Sequence, residues 1–273
     1  MLHDQTLAVL GAGNIGRALI GGLLRGGDLP SNRITATRRS DVGRAQLAER
    51  FEGIRVTDDN AAAVRDATVL IVAVKPQNAT GLFAEVRDHI QPGTLVLSTL
   101  AGTTTAALAD ALGADLPVVR AMPNTPALVD EGATAIAPGV HATEDHIVLA
   151  RGIFLAVGHV VETVPEHLMD AVTGLSGSGP AYVFMVIEAL TDAGVRQGLP
   201  RSTARRLSMQ TVLGAARLAI ETGEHPAILR DQVTTPGGTT ISAVAELEKH
   251  GLRSMFIDTV AAATERSRQL GEG

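Results

Sequence analysis

The sequence predicts an α/β protein with two domains, a doubly wound sheet over residues 1–164 and an all-α domain over residues 165–273. Three observations carry this prediction. The first half alternates short apolar runs with helical segments, as buried parallel strands and their crossover helices do. A glycine-rich turn joins the first apolar run to a helix. After Pro165 the sequence changes to long segments rich in Ala, Leu and Val, separated by Gly and Pro, which is typical of helices.

The first predicted strand, Leu7–Leu10, runs directly into the sequence Gly-Ala-Gly-Asn-Ile-Gly and then into a helix. This spacing is typical of the dinucleotide-binding turn of a Rossmann domain. Gly11 permits the tight turn, Gly13 lets the backbone approach a pyrophosphate, and Gly16 lets the helix touch the strand. The helix N-terminus offers unpaired N–H groups to the anion. The predicted cofactor contacts of this turn are Gly11, Ala12, Gly13, Asn14, Ile15 and Gly16.

The second predicted strand, residues 33–37, is followed by Arg38, Arg39 and Ser40. Sites that prefer NAD place an acidic residue at this point to bind the ribose 2′-hydroxyl. Two guanidinium groups and a hydroxyl suit a 2′-phosphate instead, because arginine forks match phosphate oxygens bidentately. The sequence therefore predicts that NADPH is the cofactor and that NADH binds more weakly. A solvated basic loop is the structural alternative.

Further apolar runs of strand length follow at residues 69–74, 95–100, 118–121, 133–137 and 160–164. Two of them lead into loops at the carboxyl edge of the sheet, where doubly wound folds bind ligands. Lys75 in the first loop is compatible with a ribose or phosphate contact and with a solvated side chain. Asn60, ahead of a short helix, is compatible with an adenosine contact and with an N-cap. The residues expected to line the nicotinamide half are Ala73, Val74, Lys75, Pro76, Thr99, Leu100 and Ala101.

The second half is predicted to be helical. One helix starts at Ser178, its predicted N-cap, and runs through Tyr182 to Gly194 with apolar residues almost all round. Such a helix must be buried on every side, which is easier in a small domain if another subunit covers it. Further helices are predicted at residues 200–222, 237–250 and 252–270, the last two ended by Gly251 and Gly271.

The most polar candidate site of the second half lies in the sequence Asp-Gln-Val-Thr-Thr-Pro-Gly-Gly-Thr-Thr-Ile, residues 231–241. The glycines leave bare N–H donors at a helix N-terminus, with threonine hydroxyls beside them. This combination suits a small carboxylate. A structural turn with N-caps is the alternative, because Thr and Gly commonly cap helices. The predicted substrate contacts are Thr235, Gly237, Gly238, Thr239 and Thr240.

Composition excludes several classes of function. The net charge of −6 and the aromatic content of 2% argue against a nucleic-acid surface and against base stacking. The absence of cysteine excludes disulfides and thiolate catalysis and is compatible with a reducing compartment. The eight histidines lack the spacing of metal ligands, so no metal is expected. No signal peptide or membrane span is visible, and we expect a cytoplasmic protein.

Six segments of the chain are similar to those of a known family: GAGNIG at 11–16, AVKPQ at 73–77, RAMPNTP at 120–126, DAVTGLSGSGPAYVF at 170–184, AGVRQGLPR at 193–201 and LRDQVTTPGGTTI at 229–241. Through them the chain resembles the pyrroline-5-carboxylate reductase family over nearly its whole length. The resemblance implies NADPH-dependent reduction of 1-pyrroline-5-carboxylate to L-proline, the final step of proline biosynthesis. It also implies that the helical domain binds the imine carboxylate and interlocks two subunits into a dimer, and that dimers assemble into a larger ring.

The same resemblance implies roles for individual residues. Cofactor contacts fall on residues 11–16, 38, 40, 60, 73–76 and 99–101, and substrate contacts on Glu166, the 236–238 turn, Thr239 and Thr240. A protonated cyclic imine is already electrophilic, so positioning matters more than a nucleophile. Thr240 is the candidate catalytic residue, with a hydroxyl near the imine nitrogen or carboxylate. Glu166 is expected to give polar support from the domain junction.

Two alternatives remain open. The first is another two-domain NADP-dependent reductase acting on imines or hydroxyacids. Hydroxyacid dehydrogenases usually rely on a helix-borne lysine, and residues 170–190 contain none. The second is an NADP-sensing module without turnover, which would explain the first half but leave the 231–241 turn without a purpose.

Overall fold

The computed structural model describes residues 2–113 and 115–271, which divide into two units. The first unit runs to Ser178 and includes the segment from Ala262 onward, and the second is Gly179–Ala261. Residue 164 falls inside the first unit, because the apolar residues just beyond it pack against the sheet. The functional boundary between residues 164 and 165 therefore stays a prediction. The outer ends of the two predicted domains, residues 1 and 273, lie outside the described residues.

Eight strands form one sheet in the first unit. They are β1 (Leu7–Leu10), β2 (Ile34–Thr37), β3 (Arg55–Thr57), β4 (Val69–Val72), β5 (Leu95–Ser98), β6 (Val118–Pro123), β7 (Gly132–Pro138) and β8 (Gly158–Thr163). Their order is β3-β2-β1-β4-β5-β6-β7-β8, and the first six follow the Rossmann arrangement. The predicted doubly wound sheet is thus confirmed.

Each predicted strand is present, with its ends shifted by at most two residues. The pattern missed β3, whose three residues are too few for a periodic signal. Strand β7 is antiparallel to β6, whereas the other neighbouring pairs are parallel. The reason is the short connection at residues 124–131, because a parallel crossover needs about a dozen residues or more.

Helices cover both faces of this sheet. Leu19 and Phe154 belong to the hydrophobic cluster on one face, and Phe83 and Leu108 to the cluster on the other. All residues of β1, β4 and β5 are buried, because successive side chains enter opposite clusters. The helices are α1 (Asn14–Gly26), α2 (Asp41–Arg50), α3 (Asn60–Val64), α4 (Ala79–Val86), α5 (Thr105–Leu112), α6 (Glu144–Leu155) and α7 (Met169–Val172).

The second unit is helical, as predicted. Helix α10 was missed by the sequence pattern, because it has only seven residues, too few for a clear periodic signal. The other predicted helices are confirmed, and Gly251, with a φ of 70°, ends α11. The helices are α8 (Gly179–Arg196), α9 (Arg201–Thr222), α10 (Pro226–Gln232), α11 (Thr239–Lys249) and α12 (Leu252–Gly271), the last of which ends in the first unit.

The prediction that Ser178 caps a new helix is wrong. A π-helical turn, Thr173–Gly177, joins α7 to α8, so the chain stays helical through this region. The Ser178 N–H donates to the Thr173 carbonyl at 2.8 Å and therefore lies inside the helix. Pro180 has no N–H to donate to the carbonyl four residues earlier, a position where helices commonly distort.

Helix α8 exposes large apolar side chains in the single chain. Phe184 and Met185 are 64% and 69% exposed. Neighbouring α9 likewise exposes Leu207 and Leu213. None of the described helices is long and apolar enough to cross a membrane.

Candidate functional site

The glycine-rich turn has the geometry that its sequence predicts. Gly11 has a φ of 81°, and a Cβ there would lie 2.5 Å from Cγ1 of Val74. The Ala12 N–H donates to the Thr37 carbonyl at 3.0 Å, which ties the turn to the end of β2. Helix α1 begins at Asn14, immediately after the turn. Its first N–H groups therefore face the carboxyl edge of the sheet, where an anion can bind them.

A cleft of about 580 Å³ opens beside this turn. Its size lies within the range of small-molecule sites in proteins. It brings together the glycine-rich turn, the basic loop after β2 and the loop after β4, as predicted. Its lining is Gly11, Gly13, Thr37, Arg38, Arg39, Ser40, Asp58, Asn60, Ala73, Val74, Lys75, Gln77, Asn78, Gly81, Leu82 and Glu85.

Arg38 and Ser40 are already held in place at the rim of the cleft. The Arg38 guanidinium donates from Nη1 to the Ala12 carbonyl at 3.0 Å. The Ser40 hydroxyl oxygen accepts from the Gly43 N–H at 3.2 Å and caps α2. A Cβ at position 43 would lie 2.7 Å from Cγ and Nε of Arg38 and 2.8 Å from the Ser40 hydroxyl oxygen. A glycine is therefore needed for Arg38 to fold across the first turn of α2.

Asn60 lines the cleft but does not cap α3. Asp59 is the cap, because its carboxylate accepts from the Ala62 N–H at 2.8 Å. The Asn60 amide donates instead to Glu85 at 3.0 Å, which leaves its carbonyl oxygen as an acceptor for a ligand. The capping interpretation is thus wrong, and the adenosine contact stays a prediction.

The loop after β5 lies outside the lining of this cleft. The Thr99 hydroxyl donates to the Val72 carbonyl at 3.1 Å, and the Leu100 side chain is buried in the core. Leu100 could reach a ligand only through its backbone. The cofactor contacts predicted at Thr99, Leu100 and Ala101 stay predictions. In the loop after β4, Lys75 lines the cleft, and a 3₁₀ turn begins at the next residue, Pro76.

Glu166 has a structural partner within the first unit. Its carboxylate accepts from the Thr105 N–H at 2.6 Å and from the Thr105 hydroxyl at 2.8 Å. Thr105 is the first residue of α5, so the carboxylate lies at the positive end of that helix. Both carboxylate oxygens are thereby engaged. The predicted substrate contact of Glu166 stays a prediction.

The start of α11 in the second unit is open, as the sequence predicts. Gly237 has a φ of 66°, and Gly238 is the N-cap residue, with no side chain to cap the helix. The Gly238 N–H donates to the Thr235 carbonyl at 3.0 Å. A Cβ at position 238 would lie 2.3 Å from the Thr235 hydroxyl oxygen, so the turn closes around that hydroxyl. No threonine side chain caps α11, but a structural turn with Gly238 at its N-cap has this same geometry, so the carboxylate site stays a prediction.

The first turn of α11 therefore presents its N–H groups without a capping side chain. Thr239 is exposed and Thr240 is half-buried, and both belong to this first turn. Such a helix start favours an anionic group the size of a carboxylate.

Among the described residues, no cluster of three or more His, Asp or Glu is arranged to hold a metal ion.

Sequence reasoning missed a buried arginine on a strand of the sheet. Arg120 on β6 is 3% exposed, and its Nη2 lies 3.7 Å from Oδ1 of Asp170. The Ser267 hydroxyl donates to the same Oδ1 at 2.7 Å. Neither Nε nor Nη2 of Arg120 has a hydrogen-bond partner among the described residues. The one available signal was a charged residue within the apolar run Val-Val-Arg-Ala-Met.

The fold and its two candidate sites define a dinucleotide-dependent oxidoreductase with a Rossmann domain and a helical domain. Pyrroline-5-carboxylate reductase of Methanosarcina acetivorans is 45% identical to this chain, over 99% of this chain and 100% of that protein. The enzyme of the same name from Synechocystis is 46% identical, over 97% and 98% of the two chains. The chain belongs to the pyrroline-5-carboxylate reductase family.

Family models and solved structures agree with this assignment. A model described as pyrroline-5-carboxylate reductase dimerisation matches residues 166–270. One described as NADP oxidoreductase coenzyme F420-dependent matches residues 6–102. A pyrroline-5-carboxylate reductase from Coxiella burnetii superposes with a TM-score of 0.92, at 39% identity over 98% and 99% of the two chains. Pyrroline carboxylate reductase from Plasmodium falciparum, solved with NADP bound, gives 0.88 at 27% identity over 99% and 100%.

Proposed function

We propose that this protein reduces 1-pyrroline-5-carboxylate to L-proline with NADPH, as a homo-oligomer in the cytoplasm. The observation that carries the proposal is the open N-terminus of α11 at Gly237 and Gly238, which suits a small carboxylate. An NADP-sensing module would have no use for such a site. Full-length similarity to pyrroline-5-carboxylate reductases supports the same substrate.

The residues of this chain bind and orient the reactants. The cofactor would occupy the cleft of the first unit, where Gly11 and Gly13 would leave room for its pyrophosphate and Arg38, Arg39 and Ser40 would bind its 2′-phosphate. When bound, NADPH supplies a hydride from the nicotinamide ring. Positioning two reactants in this way can account for a large part of a rate enhancement.

The α11 turn would hold the substrate carboxylate through its N–H groups and threonine hydroxyls. The ring of a protonated imine is already electrophilic, so the protein need not supply a nucleophile. The Thr240 hydroxyl would lie beside the carboxylate or the imine nitrogen. Glu166 contributes in the first unit by holding the start of α5, through its two hydrogen bonds to Thr105.

The direct test is NADPH oxidation with 1-pyrroline-5-carboxylate, compared with a panel of hydroxyacids and other cyclic imines. Turnover confined to the pyrroline substrate is expected. Preferred turnover of a hydroxyacid would favour the other reductase class. NADPH binding without any turnover would favour a sensing module.

The preference for NADPH is tested by replacing Arg38 and Arg39 together with alanine. Charge-assisted hydrogen bonds to a phosphate contribute about 1.5–3 kcal/mol each at most. We expect the KM for NADPH to rise about tenfold or more and NADH kinetics to change little. Arg39→Ala alone is the cleaner variant, because Arg39 is exposed whereas Arg38 also holds the Ala12 carbonyl. Equal losses with both cofactors would contradict the assignment.

The oligomeric state is tested by sedimentation of dilute protein. Because Phe184 and Met185 on α8 are exposed in the single chain, we expect at least a dimer with this helix at its interface. The similarity of residues 166–270 to a dimerisation domain supports this proposal. The same measurement reports whether dimers assemble into a larger ring. A stable, active monomer would rule the proposal out.

A further inference from the structure

Arg44 holds the basic loop of the cofactor cleft without lining the cleft itself. It lies on α2, one turn beyond the loop, and its side chain is largely buried. Its Nη1 donates to the carbonyl of Arg38 at 2.9 Å and to the carbonyl of Arg39 at 2.8 Å. Two consecutive carbonyl oxygens of the loop are thus turned toward Arg44.

The same guanidinium also contacts two carboxylates. Its Nη2 hydrogen-bonds Asp41, the first residue of α2. Its Nη1 lies 3.2 Å from Oδ2 of Asp58, which lines the cleft. Both carboxylates stand beside the loop that is proposed to bind a phosphate, and without a counter-charge they would repel it.

These contacts have two consequences for an anion at the loop. Because the carbonyl oxygens of Arg38 and Arg39 accept from Arg44, their negative ends are directed away from a bound phosphate. Arg44 pairs with Asp41 and Asp58 and offsets one of their two negative charges, so Arg38 and Arg39 leave the loop with a net positive charge. Both effects strengthen the binding of a cofactor with a 2′-phosphate and change the binding of a cofactor with a 2′-hydroxyl very little.

We infer that Arg44 is a positioning residue that determines specificity for the 2′-phosphate of NADPH. It acts through the carbonyls of residues 38 and 39 and by offsetting one of the two negative charges of Asp41 and Asp58. This inference rests on the proposed use of NADPH. A purely structural arginine would support both cofactors equally, so the difference between NADPH and NADH is the decisive quantity.

The test measures the Kd of NADPH and of NADH for the native protein and for Arg44→Met, which removes the charge and keeps an apolar side chain. The Kd for NADPH is expected to rise about tenfold, equivalent to about 1.4 kcal/mol. The Kd for NADH is expected to stay within about twofold, because a 2′-hydroxyl carries no charge for the freed carboxylates to repel. Arg50→Met, on the same helix but outside the cleft, is the matched control and should change neither value.

A second variant separates the charge effect from a general loosening of the loop. Adding Asp58→Asn to Arg44→Met removes the one of the two freed carboxylates that lines the cleft and should restore NADPH affinity by at least about threefold. Equal losses for both cofactors in Arg44→Met, or no recovery in the double variant, would overturn the inference. Equal affinities in the native protein would instead refute the proposed NADPH preference. A preference for NADPH that is unchanged in Arg44→Met refutes the role of Arg44 but leaves the proposed use of NADPH in place.

Discussion

Replacing Asp170 with alanine is expected to destabilise the first unit by about 3–5 kcal/mol, because it removes the counter-charge of a buried cation. Arg120 is 3% exposed, and the Asp170 carboxylate at 3.7 Å is the acidic group paired with it. The hydroxyl of Ser267 would lose its acceptor at the same time. The loss would be measured by urea unfolding at a fixed protein concentration, since dissociation of subunits also changes apparent stability.

Two further variants make this prediction specific. Asp88→Ala removes a carboxylate that is 78% exposed and pairs with Arg87, so it should cost less than about 1 kcal/mol. Adding Arg120→Met to Asp170→Ala removes the buried charge and should recover part of the stability, because an apolar side chain of similar length can fill the site. A small loss in Asp170→Ala, equal to that of the surface control, would mean that Arg120 does not depend on this carboxylate.

Replacing Thr240 with alanine is expected to lower kcat/KM for the imine about 10- to 150-fold, as for the loss of one hydrogen bond to a charged group. The glycines and N–H groups of the α11 turn remain, so fold and NADPH binding should survive. Single-turnover measurement of hydride transfer at matched NADPH occupancy would isolate the effect.

Two control variants accompany this measurement. Thr240→Ser keeps a hydroxyl at the same position and should retain most of the activity. Ser242→Ala lies on the same helix and removes a hydroxyl that donates to the Gly238 carbonyl at 3.1 Å, so it controls for loosening of the turn. An unchanged rate in Thr240→Ala at sub-saturating substrate would place the carboxylate site away from this helix.

Local patterns were enough to predict the backbone of both candidate sites. The positive φ of Gly11 and the start of α1 follow from the spacing of glycines after an apolar strand. The open start of α11 follows in the same way from Gly237 and Gly238. Turn and cap geometry depends on residues that are adjacent in the chain, so the sequence contains the necessary information.

Side-chain partners were predicted less well than the backbone of the two sites. Ser178 follows the Gly-Ser-Gly pattern of a helix start, yet its N–H belongs to a π-helical turn. That turn is held from outside by Asn124, whose amide donates to the Ser176 hydroxyl at 3.3 Å. At the start of α3, Asp59 and Asn60 both have side chains that can cap a helix. Asp59 is the cap, and the Asn60 amide donates instead to Glu85 on α4.

The sequence by itself determined the order of strands and helices apart from β3 and α10, the dinucleotide-binding turn and the open start of α11, because each depends on short-range periodicity or on neighbouring residues. Only the tertiary structure decided that Glu166 pairs with Thr105, that Arg120 is buried against Asp170, and that the Arg38 guanidinium donates to the Ala12 carbonyl. These pairs are formed by residues far apart in the chain, 61 positions for Glu166 and Thr105. Their contacts exist only once the sheet and its helices have packed, since burial and distance set the strength of a charged or polar pair.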